Sequence, residues 1–145
     1  MKKNILILVV AALFLGGCRY EEGVINFNSP ENRLVGEHWQ LQTVRKNGDK
    51  ITEAPNDALQ LYNYYTFYYA GPMSVTHFTE TGMRLESSRG EWSFEDKNKK
   101  IYVFFTLRNR NYTYTATIVK LSGKELKYRY TDNNGDEWTL EFFKL

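Results

Sequence analysis

The second half of the chain alternates apolar and polar residues with a period of two. Ile101, Val103, Phe105 and Leu107 share one face of a run, Tyr112, Tyr114, Ala116 and Ile118 a second, Leu126, Tyr128 and Tyr130 a third, and Trp138, Leu140 and Phe142 a fourth. Successive side chains of a strand point to opposite faces, so each set is the buried stripe of a half-exposed β-strand. Turn-forming residues separate the runs: Asn47-Gly48, Thr81-Gly82, Asp96-Lys97-Asn98, Asn109-Arg110-Asn111, Ser122-Gly123-Lys124 and Asn133-Asn134-Gly135. At this close spacing consecutive strands pair as hairpins. No stretch carries helical periodicity over the length of a crossover, which excludes a parallel α/β architecture. Only Asn56 to Tyr62 predicts a short helical turn.

Residues 34–145 give 112 positions, enough for one domain with one core. The pattern predicts an all-β fold: a single antiparallel meander of about eight strands from His38 to Phe143, closing into a small barrel so that neither edge stays exposed. A barrel of that size either fills with side chains or holds one small ligand. Its inward positions are mostly large aromatics, so the interior is expected to fill and to leave a shallow mouth pocket of roughly a few hundred cubic ångströms. Tyr112, Tyr114, Tyr128 and Tyr130 are the candidate lining.

Two further aromatic features stand out. Gly36-Glu37-His38-Trp39, Gly90-Glu91-Trp92 and Gly135-Asp136-Glu137-Trp138 each place a tryptophan where a strand is expected to begin, as plugs for the barrel ends. The run from Tyr62 to Tyr69 holds Tyr62, Tyr64, Tyr65, Phe67, Tyr68 and Tyr69. As a strand it would set Tyr62, Tyr64 and Tyr68 opposite Tyr65, Phe67 and Tyr69, leaving an amphipathic outer patch suited to a sugar, a peptide or a protein partner.

The amino terminus adds an address. Lys2 and Lys3 precede eleven apolar residues from Ile5 to Leu15, and small residues follow. At ~1.5 Å per residue the run covers roughly half of a ~30 Å hydrocarbon core, so it reads as a secretory signal over residues 1–17. Leu15-Gly16-Gly17-Cys18 resembles the lipobox of bacterial lipoproteins. That resemblance implies cleavage between Gly17 and Cys18, a diacylglyceryl group on the Cys18 thiol and acylation of the freed amine. Acyl burial stabilises by roughly 0.8 kcal/mol per methylene, so the membrane partner would be held through the acyl chains on Cys18. Residues 18–33, polar and without period, read as a lipidated flexible tether, and Glu21-Glu22 looks like a surface-export signal. The expected location is the outer membrane, lipid-anchored, with the domain periplasmic or surface-exposed.

Cleavage changes the charge picture. The chain holds 19 basic and 17 acidic residues, and losing Lys2 and Lys3 leaves 17 of each. A neutral mature chain gives no electrostatic case for nucleic acid. Cys18 is the sole cysteine, so no disulfide staples the domain. His38 and His77 lack partners at metal-ligand spacing, no residues assort into nucleophile, base and orienting group, and Arg108-Asn109-Arg110-Asn111 reads as a wet hairpin tip. Neither a metal, a cofactor nor an enzymatic activity is expected.

With Gly36 and Trp39 opening a β meander behind a lipobox, the chain resembles the small lipocalin-like lipoproteins of Gram-negative bacteria. Gly36 and Trp39 stand one residue further apart than the Gly-x-Trp of lipocalins, and Thr131-Asp132 continues into Asn133 where lipocalins carry Thr-Asp-Tyr. The resemblance implies a lipid-anchored binding module for a small amphipathic ligand. The alternative is a solid barrel that docks an envelope protein or glycan through its aromatic exterior.

Overall fold

The computed structural model describes residues 28–145. The signal segment and the lipobox, Gly17 and Cys18 included, lie outside the described residues, as does most of the expected tether.

A five-residue helix, α1 (Pro30–Leu34), leads into β1 (His38–Lys46) and the two-residue β2 (Asp49–Lys50). A 3-10 turn at Asp57–Leu59 precedes β3 (Tyr64–Phe67), followed by β4 (Pro72–Phe78), β5 (Arg84–Glu95), β6 (Lys100–Leu107), β7 (Arg110–Leu121), β8 (Glu125–Thr131) and β9 (Glu137–Lys144). Neighbours pair antiparallel in chain order, and β9 returns to β1 from Trp39↔Lys144 to Lys46↔Trp138. Eight strands thus close a barrel, with β2 as an extra flap on the end of β1. The all-β meander and its closure stand as the alternation requires.

The alternating residues point inward. Trp39, Tyr65, Phe67, Phe105, Tyr128 and Phe142 are at most 1% exposed and fill the bore. Tyr65 sits edge-on to Phe105 (5.6 Å) and Phe142 (5.0 Å), a geometry that aligns ring edges with ring faces. Each ring so buried stabilises the fold by about 3 kcal/mol.

One end is closed by α1, and here the expectation of a flexible tether up to residue 33 is corrected. Ser29 caps the helix by accepting from the Asn32 N–H, and Pro30 presets its first turn. The Arg33 guanidinium then donates to the Leu121 carbonyl (2.9 Å) in a buried contact, and the Trp39 indole N–H donates to the Leu34 carbonyl (2.8 Å). A segment too short to show a helical period is held by tertiary hydrogen bonds and by fully buried Leu34.

Two other expectations shift. Trp39 and Trp138 stand at strand starts, but Trp92 lies near the far end of β5, where its indole N–H donates to the Tyr68 carbonyl (2.8 Å) at the closed end. Gly90 is therefore no turn residue. A Cβ there would sit 2.0 Å from the Phe104 carbonyl oxygen, so the glycine is required where β5 turns from β4 onto β6. The β6–β7 hairpin turns at Arg108 (φ 49°) and Asn109 (φ 61°), one residue earlier than the sequence suggests. A two-residue loop matching strand twist needs positive φ at both positions. Asn109 adopts it readily, and Arg108 is held there by the contacts described next.

Candidate binding site

The chain between β2 and β3 folds across the open end of the barrel as a lid. Asn56 caps its 3-10 turn by accepting from the Leu59 N–H (3.1 Å), and Ala58 and Leu59 press their side chains into the mouth, where they are buried. The lid is latched from beneath. The Tyr65 hydroxyl donates to the Ala58 carbonyl (2.6 Å), and the Asn63 amide donates to the carbonyls of Asp57 (2.8 Å) and Ala58 (3.3 Å). The Asn63 side-chain oxygen accepts from the Phe78 N–H (3.1 Å), which fixes the amide orientation, and lies 3.1 Å from His77 Nδ1.

An oxygen only accepts, so the His77 proton resides on Nδ1. Nε2 lies 3.6 Å from the Asp57 carboxylate, whose other oxygen is 3.7 Å from Arg108 Nε. Burial of His77 lowers its pKa, with the Asp57 charge acting in the opposite direction. The Arg108 backbone N–H donates to the Glu86 carboxylate (2.8 Å), so the hairpin tip read as solvated is tied to both the lid and β5.

Between this lid and the upper ends of β7 and β8 lies a pocket of about 260 Å³, open on one side. Leu59 and Asn56 line it from the lid, Tyr112 and Tyr114 from β7, Tyr130 from β8, and Asn133 from the last hairpin. Tyr114 and Tyr130 stack face to face at 4.0 Å and 7°, and Tyr112 stacks on Phe105 at 5.2 Å. Below them the hydroxyls of Tyr114 and Tyr128 share a hydrogen bond of 2.6 Å. The Tyr112 hydroxyl is buried near the Ala58 backbone and the Arg110 guanidinium but makes no hydrogen bond of good geometry.

Burial raises the pKa of Tyr65, Tyr112, Tyr114, Tyr128 and Tyr130 above the usual phenol value, so all five hydroxyls stay protonated through the physiological range. The pocket also borders open backbone. Pairing of β7 with β8 begins at Thr117↔Arg129, so Asn111 to Thr115 run past the end of β8 beside the pocket.

Of the four tyrosines expected as lining, Tyr112, Tyr114 and Tyr130 border the pocket, whereas Tyr128 is fully buried in the core and reaches the group only through its hydroxyl contact with Tyr114. Tyr65 joins them from the aromatic run. The rest of that run is dispersed, and the continuous outer patch is not formed. Only Tyr64 to Phe67 is strand, and Phe67 faces the core. Tyr64 packs on Phe78 (4.8 Å) and His38 (6.0 Å). Tyr62 takes a positive φ (72°) near the lid, whereas Tyr68 and Tyr69 are exposed in the β3–β4 turn at the closed end, with the Tyr69 hydroxyl donating to Asn32 (2.7 Å). Asn56, Leu59 and Asn133 were not foreseen as site residues. Their only sequence signal was turn chemistry, which reports backbone geometry and not what the side chain faces.

A small closed antiparallel barrel, capped by a helix at one end and presenting a pocket at the other, is the architecture of a binding barrel. The chain belongs to the lipocalin-like domain family, which matches residues 34–128. No curated protein matches the sequence.

Proposed function

We propose that this protein is a lipid-anchored module of the cell envelope that binds one small amphipathic ligand at the open end of its barrel, without transforming it. The observation that carries the reading is the mouth pocket: tyrosine rings and asparagine side chains gather there above a filled bore, beside an open length of β7. A concave site with convergent polar groups on a rigid wall is the usual setting for ligand binding. Membership of the lipocalin-like family supports the same role.

Anchoring follows from the lipobox resemblance at Cys18. The described chain enters the barrel at the closed end, through α1, on the side away from the pocket. The proposed location is the outer membrane, with the domain periplasmic or surface-exposed. A second reading, docking of an envelope protein or glycan through the barrel exterior, rests on exposed rings that include the adjacent Tyr68 and Tyr69.

Native mass spectrometry of the full-length protein in detergent, after exposure to an envelope lipid and glycan extract, separates the two. A retained small-molecule mass that disappears in Tyr114→Ala, in a variant shown to be folded, supports the pocket. Absence of any adduct, with co-purification of one envelope protein that is lost on replacing Tyr68 and Tyr69 by serine, would move the function to the exterior.

A further inference from the structure

The chemistry of the pocket narrows the ligand, if the pocket is the binding site proposed above. We infer that it takes a single uncharged sugar ring, a pyranose at the end of a larger glycan or glycoside, with the rest of that molecule leaving through the open side.

Size comes first. About 260 Å³ lies below the roughly 300 Å³ at which pockets for drug-sized ligands begin, so one ring fits and a long chain does not. Nor is there a bore for an acyl tail to enter, because Tyr65, Phe105, Tyr128 and Phe142 occupy it with at most 1% exposure.

The polar groups come second. The lining itself contains no acidic or basic side chain, and the charges that reach Tyr112 from outside it, Asp57 and Arg110, are of opposite sign and favour neither an anionic nor a cationic head. Arg108 is engaged by Asp57 outside it. What the wall offers is amides and phenols. Asn56 uses its oxygen on the Leu59 N–H, which leaves its amide group as a donor, while Asn133 offers both a donor and an acceptor. The open stretch of β7 from Asn111 to Thr115 adds backbone groups. A sugar hydroxyl is at once donor and acceptor, and a wall mixing amide N–H, amide oxygen and phenol satisfies it in both senses.

Ring faces come third. A pyranose carries C–H groups on its faces and hydroxyls around its rim, and the C–H face packs on an aromatic ring. Tyr112, Tyr114 and Tyr130 line the pocket with rings that losing a ligand would not disorder, because they are already stacked on Phe105 or on each other. An extended peptide added to the edge of β7 is the competing occupant. The lid and the last hairpin both border the same hole, which leaves a ring-sized recess where an added strand needs a groove open at both ends.

The test is saturation-transfer NMR on the full-length protein in detergent. The probes are methyl hexopyranosides with and without an N-acetyl group, an uncharged cyclohexyl glycerol ether as an amphiphile of similar size, and a capped extended tetrapeptide. Transfer to the face C–H protons of at least one pyranoside, with affinity lowered about ten-fold by Asn133→Ala, is expected; Asn133 is exposed, so folding is retained. Preference for the cyclohexyl ether, or for the tetrapeptide, overturns the sugar assignment while the binding role stands. Pyranoside transfer that Asn133→Ala does not weaken also overturns it, since the contact then lies elsewhere on the surface. Silence from all probes overturns the sugar assignment, and the mass-spectrometric adduct decides separately whether the pocket binds anything else.

Discussion

Tyr65 carries two roles in one side chain. Its ring belongs to the core and its hydroxyl holds the lid through the Ala58 carbonyl. Tyr65→Phe keeps the packing and removes the bond, so stability should fall by about 1 kcal/mol in urea titrations, with faster amide exchange at Leu59. Gly90 is the opposite case, a residue defined by what it lacks. Gly90→Ala drives a Cβ toward the Phe104 backbone oxygen, which has no flexible end to move, and should cost about 3 kcal/mol in the same titration. The sequence does not show that Tyr65 is a core residue, because both faces of the run from Tyr62 to Tyr69 are aromatic and alternation there does not say which face is buried. It does not show why Gly90 is glycine, since the obstructing atom belongs to β6, fourteen positions along the chain.

Among elements, β6 to β9 are legible before folding because a stripe of alternating apolar residues has few other uses. The lid and α1 are not, since each is a single turn whose stability comes from partners outside it: Leu121 for α1, and Asn63 and Tyr65 for the lid. The lid also makes stability depend on pH. Burial lowers the His77 pKa from about 6.5, so the unfolded chain takes up a proton before the folded chain does. Stability is therefore full above that range and falls as pH drops through it. Urea midpoints should decline between about pH 7 and pH 5, and His77→Gln should flatten that decline. At the other extreme, the raised pKa values of Tyr65, Tyr114 and Tyr128 give stability that is complete below about pH 10 and lost above it. Ultraviolet titration should show their phenolates appearing together with unfolding.

The whole molecule is a filled barrel with a different task at each end. Its closed end receives the chain that leads back to Cys18, and its open end holds the pocket. If the proposed anchor holds, Cys18→Ser should move the protein from the membrane pellet to the soluble fraction without changing its unfolding midpoint, because Cys18 lies outside the residues that form the barrel. A pelleting, lipidated Cys18→Ser protein would remove the anchor from the account and leave the barrel untouched. Entry of a ligand at the mouth is best checked by NMR shift mapping on the full-length protein with envelope extract. Amide and tyrosine-ring shifts confined to residues 56–59, 111–114 and 130–133 are expected. Shifts centred on Tyr68 and Tyr69, with the mouth unchanged, would contradict it.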